Sequence, residues 1–268
     1  MISLATSAFN IESNDFDIHS AIKNWELYVD EIVISTIPSR DNSLQILKEL
    51  ESSKPIKIIE EDFSLEDPEF DGKLKNSSHQ NSSNEIVVQC DLDERMGGKP
   101  EAWKSFAETL LSNESVKSLF IPVIDLYGSY YEYSSINKKW YICKKEGTKR
   151  GVVSFARKQD GKIDIEKSDT CELLDEDDNL VPYIDICHHY QIDPLRYCQL
   201  HNPFIWHLGY IDMDRRSKIN SWWKPKAIRR YTTLFNDNRI KPETLFYGDI
   251  MGITWEQCKE KYLGEVGR

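Results

Sequence analysis

The chain has 268 residues and carries 34 Lys and Arg against 45 Asp and Glu, a formal net charge of −11. This excess of acid excludes general nucleic-acid binding, which needs a basic footprint, and it disfavours an anionic membrane surface as a partner. Because 40% of the residues are hydrophobic and 11% are aromatic, the chain is predicted to be globular with an ample core rather than disordered.

The N-terminus lacks a charged segment followed by an apolar one, and the chain has no apolar run of about 18 residues. We therefore expect a cytoplasmic protein without a transmembrane segment. The six cysteines show neither CxxC pairs nor the spacing of zinc ligands. That distribution predicts reduced thiols, most of them buried.

The first 125 residues alternate between strand-like and helix-like segments. Asp15 or Asn14 is suited to cap the first helix, and Pro100 is suited to begin the last one. Strands are predicted for residues 1–9, 31–36, 55–60, 85–90 and 118–124, and helices for residues 18–29, 43–50 and 100–111. This alternation predicts an α/β fold, a mainly parallel Rossmann-type sheet with helices on both faces.

The second half of the chain, residues 126–268, differs from the first half, residues 1–125. It is rich in aromatic residues and has poor helical periodicity. We expect a mixed sheet with long loops and C-terminal helices, packed on the first half as part of the same domain.

The most informative stretch is the short apolar segment 85–90, which is followed at once by Asp91, Asp93 and Glu94. Open α/β sheets bind ligands at the carboxyl ends of their strands, so these carboxylates are predicted to lie at a ligand-binding edge of the sheet. Carboxylate oxygens suit Mg²⁺ or Mn²⁺. A solvated acidic turn is the alternative interpretation.

Two further segments precede this motif in the chain. The strand 29–34 is followed by Ser39-Arg-Asp41-Asn-Ser43, and Lys75-Asn76 stands sixteen residues before Asp91. Together with Gln89-Cys-Asp91-Leu-Asp93-Glu94, these segments resemble the GT-A glycosyltransferases, particularly the family-two group that uses nucleotide-sugar donors.

The resemblance implies a GT-A-like fold, a nucleotide-diphosphate sugar donor and a glycan or glycoconjugate acceptor. It also implies a Mn²⁺ or Mg²⁺ ion held by Asp91 and Asp93. Donor contacts are expected from the first half, at Ser7, Asp41, Lys75, Asn76 and Asp91. Many relatives carry an aspartate directly after the second strand, where this chain has Ser35-Thr36-Ile37-Pro38. Either Asp41 replaces that aspartate or the base is bound differently.

His207 lies in the segment Trp206-His207-Leu208-Gly209-Tyr210. Its apolar neighbours alone favour a buried core histidine. The segment also resembles one found in some of these transferases, and this resemblance implies that His207 completes the metal site or contacts the diphosphate.

An inverting transferase needs a carboxylate as general base towards the acceptor hydroxyl, whereas a retaining one does not. We expect inversion, with Asp169 as the base because it lies in a polar segment between predicted strands 151–156 and 180–186. Glu172 is the alternate and Asp212 a weaker candidate. The aromatic residues Tyr127, Tyr130, Tyr131 and Trp140 either form a platform for an acceptor sugar or pack the second sheet.

Two alternative functions remain open from the sequence. A catalytically silent glycan- or nucleotide-binding protein can share the fold, and turnover with a panel of donors distinguishes it. A nucleotidyltransferase also uses paired carboxylates and a metal ion, but it usually has an early glycine-rich, basic loop for the triphosphate. Residues 3–12 contain neither glycine nor a basic residue.

Overall fold

The computed structural model describes the backbone of residues 1–64, 67, 69–127, 133–159 and 162–210. It describes the side chains of the same residues except 127, 133–135, 137–141, 152–159, 162–170 and 210. The predicted aromatic platform, the C-terminal helices and the candidate base Asp212 therefore lie outside the described side chains or outside the described residues altogether.

Strands and helices alternate along the described chain in the following order: β1 (Ile2–Ser7), α1 (Ile18–Trp25), β2 (Glu31–Thr36), α2 (Ser43–Lys48), β3 (Ile56–Glu60), α3 (Phe70–Gln80), β4 (Ile86–Gln89), β5 (Glu94–Gly97), α4 (Pro100–Ser112), β6 (Ser118–Tyr127), β7 (Tyr133–Lys144), β8 (Lys149–Gln159), β9 (Lys162–Leu174), β10 (Tyr183–Asp185), α5 (Ile186–His189), α6 (Pro194–Gln199) and β11 (Phe204–Tyr210).

One large sheet has the strand order β3-β2-β1-β4-β7-β6-β11-β5, and β10 pairs with β6 beside this path. Strands β3, β2, β1 and β4 are mutually parallel, and the chain returns between them through α1, α2 and α3. Strand β7 runs antiparallel between β4 and β6, so the sheet becomes mixed in the second half. The predicted α/β fold with a largely parallel sheet is confirmed.

The alternation of side chains along each strand supplies two apolar faces to this sheet. On one face, Ile2 and Leu4 of β1 pack in the main core with Ile22 and Trp25 of α1. On the other face, Ala5 packs in a smaller cluster that includes Val87 of β4 and Leu173 of β9. The β8–β9 hairpin therefore covers part of the second face, next to α3.

Helix α1 begins at Ile18, as predicted, but its capping residue and its end differ from the prediction. The carboxylate of Asp17, and not that of Asp15 or Asn14, caps it by accepting a hydrogen bond from the backbone N–H of Ser20 at 3.0 Å. The helix ends at Trp25 rather than continuing to Val29, although Val29 is buried. Helix α4 begins at Pro100, as predicted.

Side chains from α1 and the turn after it bind the backbone along the outer side of β5. The indole Nε1 of Trp25 donates to the carbonyl of Glu94 at 3.2 Å, and the hydroxyl of Tyr28 donates to that of Gly98 at 3.2 Å. Between them, the Asn24 amide donates to the Met96 carbonyl at 3.0 Å and accepts from the Met96 N–H at 2.8 Å. These bonds fix β5 directly after the acidic motif.

Three parts of the architecture differ from the expectations. Helix α3 was not predicted, and neither was the short strand β5. Asp169 lies inside the continuous strand β9, paired with Ser154, and not in a polar segment between strands. Residues 162–170 are mostly polar and show no pattern typical of a strand. They form one because they pair with β8. None of the described helices is long and apolar enough to cross a membrane.

Candidate functional site

The carboxyl ends of the parallel strands gather several of the predicted residues at one edge of the sheet. Ser7 ends β1 and pairs with Ser35 of β2, and Asp91 follows β4, the other neighbour of β1. Parallel strands deliver their carboxyl ends to the same edge, where α/β sheets bind ligands. The acidic motif therefore lies where the sequence predicted it.

The centre of the candidate site is a buried cluster of one histidine and two carboxylates. His207 Nδ1 lies 2.7 Å from Asp125 Oδ1, and His207 Nε2 lies 3.7 Å from Asp93 Oδ2. Both carboxylate side chains are less than a tenth exposed, at 9% for Asp93 and 8% for Asp125. The structure thus brings together the two ends of the predicted metal site, Asp93 and His207.

Backbone pairing explains why residues so distant in sequence meet. Strand β11 lies between β6 and β5, with His207 opposite Asp125 on one side and opposite Glu94 on the other. The backbone N–H of Leu208 also donates to the carbonyl of Asp93 at 2.7 Å. The sheet consequently sets the positions of Asp125 and His207, and this hydrogen bond attaches Asp93, in the turn before β5, to β11.

The charges around His207 favour its protonated form. Burial by itself lowers the pKa of His207, but the hydrogen bond to Asp125, the interaction with Asp93 and the negative charge of Glu94 raise it to about 10. The neighbouring carboxylates therefore favour a positive charge on the imidazole. A divalent cation can supply the same positive charge at this position.

Gly209 lies directly against the two candidate ligand atoms. A Cβ at position 209 would lie 2.6 Å from His207 Nε2 and 2.7 Å from Asp93 Oδ2, closer than a methyl group can approach either atom. The two atoms are 3.7 Å apart, less than roughly twice the usual ligand distance of about 2.1 Å. A single ion can therefore reach both atoms, and only glycine at position 209 leaves them in place.

The donor set fits a first-row divalent cation. A carboxylate oxygen with an imidazole nitrogen suits Mn²⁺ better than Mg²⁺, which prefers oxygen ligands. Within the described residues, no group of three or more His, Cys, Asp and Glu side chains is arranged to hold a metal ion. Asp93 and His207 would thus supply two ligands, with substrate phosphates and water completing the set, as is common for such ions.

Asp91 belongs to a second charge cluster. Lys75 of α3 lies 3.0 Å from Asp91 Oδ1 and 3.5 Å from Asp71 Oδ2. Burial lowers the pKa of Lys75, but the charges of Asp71 and Asp91 raise it well above its usual value, so Lys75 is a permanent cation. The expected pairing of Lys75 with the acidic motif is present in the geometry, whereas the role of both residues in donor binding stays a prediction.

Asp41 and Asn76 make local contacts that hold loops together. The Asp41 carboxylate accepts hydrogen bonds from the backbone N–H and hydroxyl groups of both Ser13 and Ser43, which joins the loops after β1 and β2. The side-chain oxygen of Asn76 accepts from the backbone N–H of Arg150 at 2.8 Å and so joins α3 to β8. Donor binding by these two residues stays a prediction.

The candidate bases both lie in β9. Glu172 pairs with Gly151, and its neighbour Leu173 faces the sheet in the cluster with Ala5 and Val87. Because adjacent side chains of a strand point to opposite faces, Glu172 points away from that cluster. The structure describes the backbone of Asp169 but not its side chain, so its role as base stays a prediction.

Asp125 is the residue of this cluster that the sequence did not single out. It follows the predicted strand 118–124 and is flanked by Ile124 and Leu126, which are both fully buried. An ionisable residue within such an apolar run is costly to bury unless it has a charged or hydrogen-bonding partner. That isolated aspartate is the signal in the sequence from which this site residue can be found.

Comparisons with known proteins gave partial matches to solved structures and no match by sequence. No protein-family model matches the sequence, and no curated protein matches it. Among solved structures, S. aureus TarS in complex with UDP matches with 19% identity over 47% of this chain and 35% of its own, at a TM-score of 0.33. HddC from Yersinia pseudotuberculosis matches with 16% identity over 54% of this chain and 74% of its own, at 0.34.

Glucosyl-3-phosphoglycerate synthase from Mycobacterium tuberculosis, in complex with Mg²⁺ and UDP, matches with 20% identity at a TM-score of 0.31. That match covers 47% of this chain and 43% of the synthase. The match to full TarS spans only 22% of its length.

Proposed function

We propose that the protein is a metal-dependent glycosyltransferase that moves a sugar from a nucleotide-diphosphate donor to a glycan or glycoconjugate acceptor. The observation that carries this proposal is the Asp93–His207 pair, whose two facing atoms lie 3.7 Å apart, at the carboxyl end of a mainly parallel sheet. A pair of buried ligands that leaves most of the coordination sphere to the substrate suits a phosphate-bearing donor.

Asp93 and His207 hold the cation in this proposal, with Mn²⁺ preferred over Mg²⁺. When bound, the cation offsets the negative charge that develops on the departing nucleoside diphosphate. Asp91 takes a different part from the one the motif suggests, because its carboxylate pairs with Lys75. It holds the lysine ammonium at the mouth of the site, where that charge attracts the donor phosphates.

The remaining roles follow the expectations from the sequence. Ser7 at the end of β1 and the loop containing Asp41 border the donor site. Asn76 holds strand β8 against helix α3 beside that site. Asp169 acts as the general base of an inverting reaction, with Glu172 as the alternate. The location in the cytoplasm also stays a prediction.

Binding and turnover of nucleotide-sugars test the proposal directly. Purified protein is mixed with UDP-, GDP- and dTDP-sugars, with Mn²⁺ or with excess chelator, and the melting temperature and the release of nucleoside diphosphate are measured. The correct donor should raise the melting temperature only with Mn²⁺, because a ligand that binds the native state stabilises it. Asp93→Asn should lower turnover by about 100-fold.

Asp178→Asn is the matched control, since Asp178 lies in an exposed turn and its side chain is 75% exposed. It should behave as the wild type. Full turnover in excess chelator would remove the metal from the proposal. Donor binding without turnover across a broad acceptor panel would favour a silent binding protein. Release of pyrophosphate from a nucleoside triphosphate and a sugar phosphate would favour a nucleotidyltransferase.

For the base, Asp169→Asn and Glu172→Gln should be compared in the transfer reaction once the donor is known. Asp169→Asn cannot accept a proton, so transfer should be lost while donor binding survives. Wild-type transfer by Asp169→Asn together with lost transfer by Glu172→Gln would assign the role to Glu172. Retention of the anomeric configuration in the product would exclude both.

A further inference from the structure

We infer that Asp125 is a positioning residue for the cation site, which it serves by fixing the ring nitrogen of His207 that carries the proton. The inference rests on the proposed function, because it concerns the cation held by Asp93 and His207. It adds to that function a residue that never touches the ion or the donor.

The geometry of the pair leaves little freedom to His207. Asp125 and His207 stand opposite each other on the adjacent parallel strands β6 and β11, and Asp125 Oδ1 lies 2.7 Å from Nδ1. Strand β6 is itself held between β7 and β11 in the interior of the sheet. The imidazole ring is therefore anchored at one edge by a rigid partner.

The chemistry of the pair determines which nitrogen is available to a cation. An ionised carboxylate only accepts hydrogen bonds, so Nδ1 must be the donor and keeps its proton. In a neutral imidazole the other nitrogen, Nε2, then presents its lone pair. This nitrogen faces Asp93 Oδ2, the other candidate ligand atom, at 3.7 Å. Carboxylates that hold metal-binding histidines in this way typically raise metal affinity by about 10- to 100-fold.

A purely structural role is the competing explanation. A buried ion pair contributes little net stability, since the cost of removing both charges from water offsets their attraction. Asp125 also lies between the buried apolar residues Ile124 and Leu126, where an aliphatic side chain would pack well. A structural role predicts that Asp125 variants change the free energy of unfolding but not the affinity for the cation.

A double-mutant cycle on cation affinity separates these explanations. Free Mn²⁺ is measured by electron paramagnetic resonance as Mn²⁺ alone is titrated into wild type, Asp125→Ala, His207→Ala and the double variant. Asp125→Ala should weaken Mn²⁺ binding by about 10-fold or more. Asp125→Asn should lose less affinity, because its amide oxygen still accepts the Nδ1–H hydrogen bond.

In the His207→Ala background, Asp125→Ala should change Mn²⁺ affinity by less than roughly twofold, since Asp125 acts through the imidazole. Equal effects of Asp125→Ala with and without His207, or none in either, would overturn the inference. If Asp125→Ala does not fold, Asp125→Val replaces it, because a β-branched residue suits a buried strand.

The same titration distinguishes this inference from the proposed function. If neither Asp93→Ala nor His207→Ala weakens Mn²⁺ binding, or the wild type does not bind Mn²⁺, the cation assignment itself fails and the inference fails with it. If His207→Ala weakens binding and Asp125→Ala does not, only the positioning role is wrong.

Discussion

Lys75 and Asp91 form an ion pair across the gap between helix α3 and the end of strand β4, with Lys75 Nζ 3.0 Å from Asp91 Oδ1. The lysine side chain is 15% exposed and the aspartate side chain 45% exposed. Asp93, only two positions later, interacts instead with His207. The two aspartates of one short motif thus belong to separate charge clusters, and the predictions for them differ accordingly.

Replacing Lys75 should weaken nucleotide binding. Lys75→Met removes a permanent cation at the mouth of the proposed donor site, so we expect the affinity for the preferred nucleoside diphosphate to fall by about 10-fold in the presence of Mn²⁺. Calorimetric titration with UDP and GDP measures this. Lys73→Met is the matched control, because Lys73 on the same helix pairs with Asp67 and Glu69. Similar losses for both variants would point to a general charge effect.

Adding one methyl group at Gly209 should disrupt the cation site. In Gly209→Ala, the new Cβ would meet His207 Nε2 and Asp93 Oδ2 at 2.6 and 2.7 Å, so the two candidate ligand side chains must shift. We expect Mn²⁺ binding to be lost, as measured by paramagnetic resonance. In the control Gly151→Ala, also in a strand, the Cβ would meet the side chain of Leu174 instead. If Gly209→Ala retains Mn²⁺ affinity, these two atoms do not hold the ion.

His79 should make the fold sensitive to mild acid. It is fully buried, its Nε2 lies 2.9 Å from Thr148 Oγ1, and burial together with the charge of Arg150 lowers its pKa to about 3. Below about pH 6.5 the unfolded chain binds a proton that folded His79 does not, so stability is lost as the pH falls towards 3. The slope is at most about 1.4 kcal/mol per pH unit.

Urea unfolding at several pH values between 7 and 4 measures this effect, with His79→Gln compared with the wild type. The wild type should lose stability relative to His79→Gln as the pH is lowered, since Gln does not titrate. His19→Gln replaces an exposed histidine and should follow the wild type. Parallel stability curves for wild type and His79→Gln would show that His79 does not control the acid response.

Asn24 should be one of the more sensitive positions in the fold. Its fully buried amide makes two hydrogen bonds to the backbone of Met96, so Asn24→Ala leaves a buried donor and a buried acceptor without their partner. We expect the free energy of unfolding to fall by about 2–4 kcal/mol in urea titrations. Asn42→Ala is the control, because the side chain of exposed Asn42 donates to the Glu12 carboxylate at the surface. A loss below about 0.5 kcal/mol for Asn24→Ala would contradict this role.

Local patterns were sufficient for the elements whose burial is periodic. Strand β2 has the predicted bounds Glu31–Thr36, and helix α4 begins at Pro100. Helix α3 was not predicted because its residues are mostly polar, with Phe70 and Leu74 as its main buried apolar side chains. Its position is fixed by tertiary contacts such as the hydrogen bond from Ser35 Oγ to the Leu74 carbonyl at 2.6 Å. Contacts of this kind have no local signature.

The candidate site was predictable only where its residues belong to local sequence motifs. Asp91, Asp93 and His207 occur in motifs, and the structure brings Asp93 and His207 to within 3.7 Å of each other. That Asp91 pairs with Lys75 and not with His207 depends on the position of α3, which the sequence pattern did not reveal. Asp125 belongs to no motif, and its role follows from the pairing of β6 with β11.

The hydrogen bonds from Trp25, Asn24 and Tyr28 to β5 have a consequence for how molecules of this protein meet. Among the strands that the structure describes, β5 is the terminal one on its side of the sheet, and a bare terminal strand can pair with a strand from another molecule. The three side chains occupy backbone groups of Glu94, Met96 and Gly98 that such a strand would need. Helix α1 and the turn after it thereby prevent another strand from pairing with β5. If this helix moved away from β5, the exposed edge would be prone to aggregation.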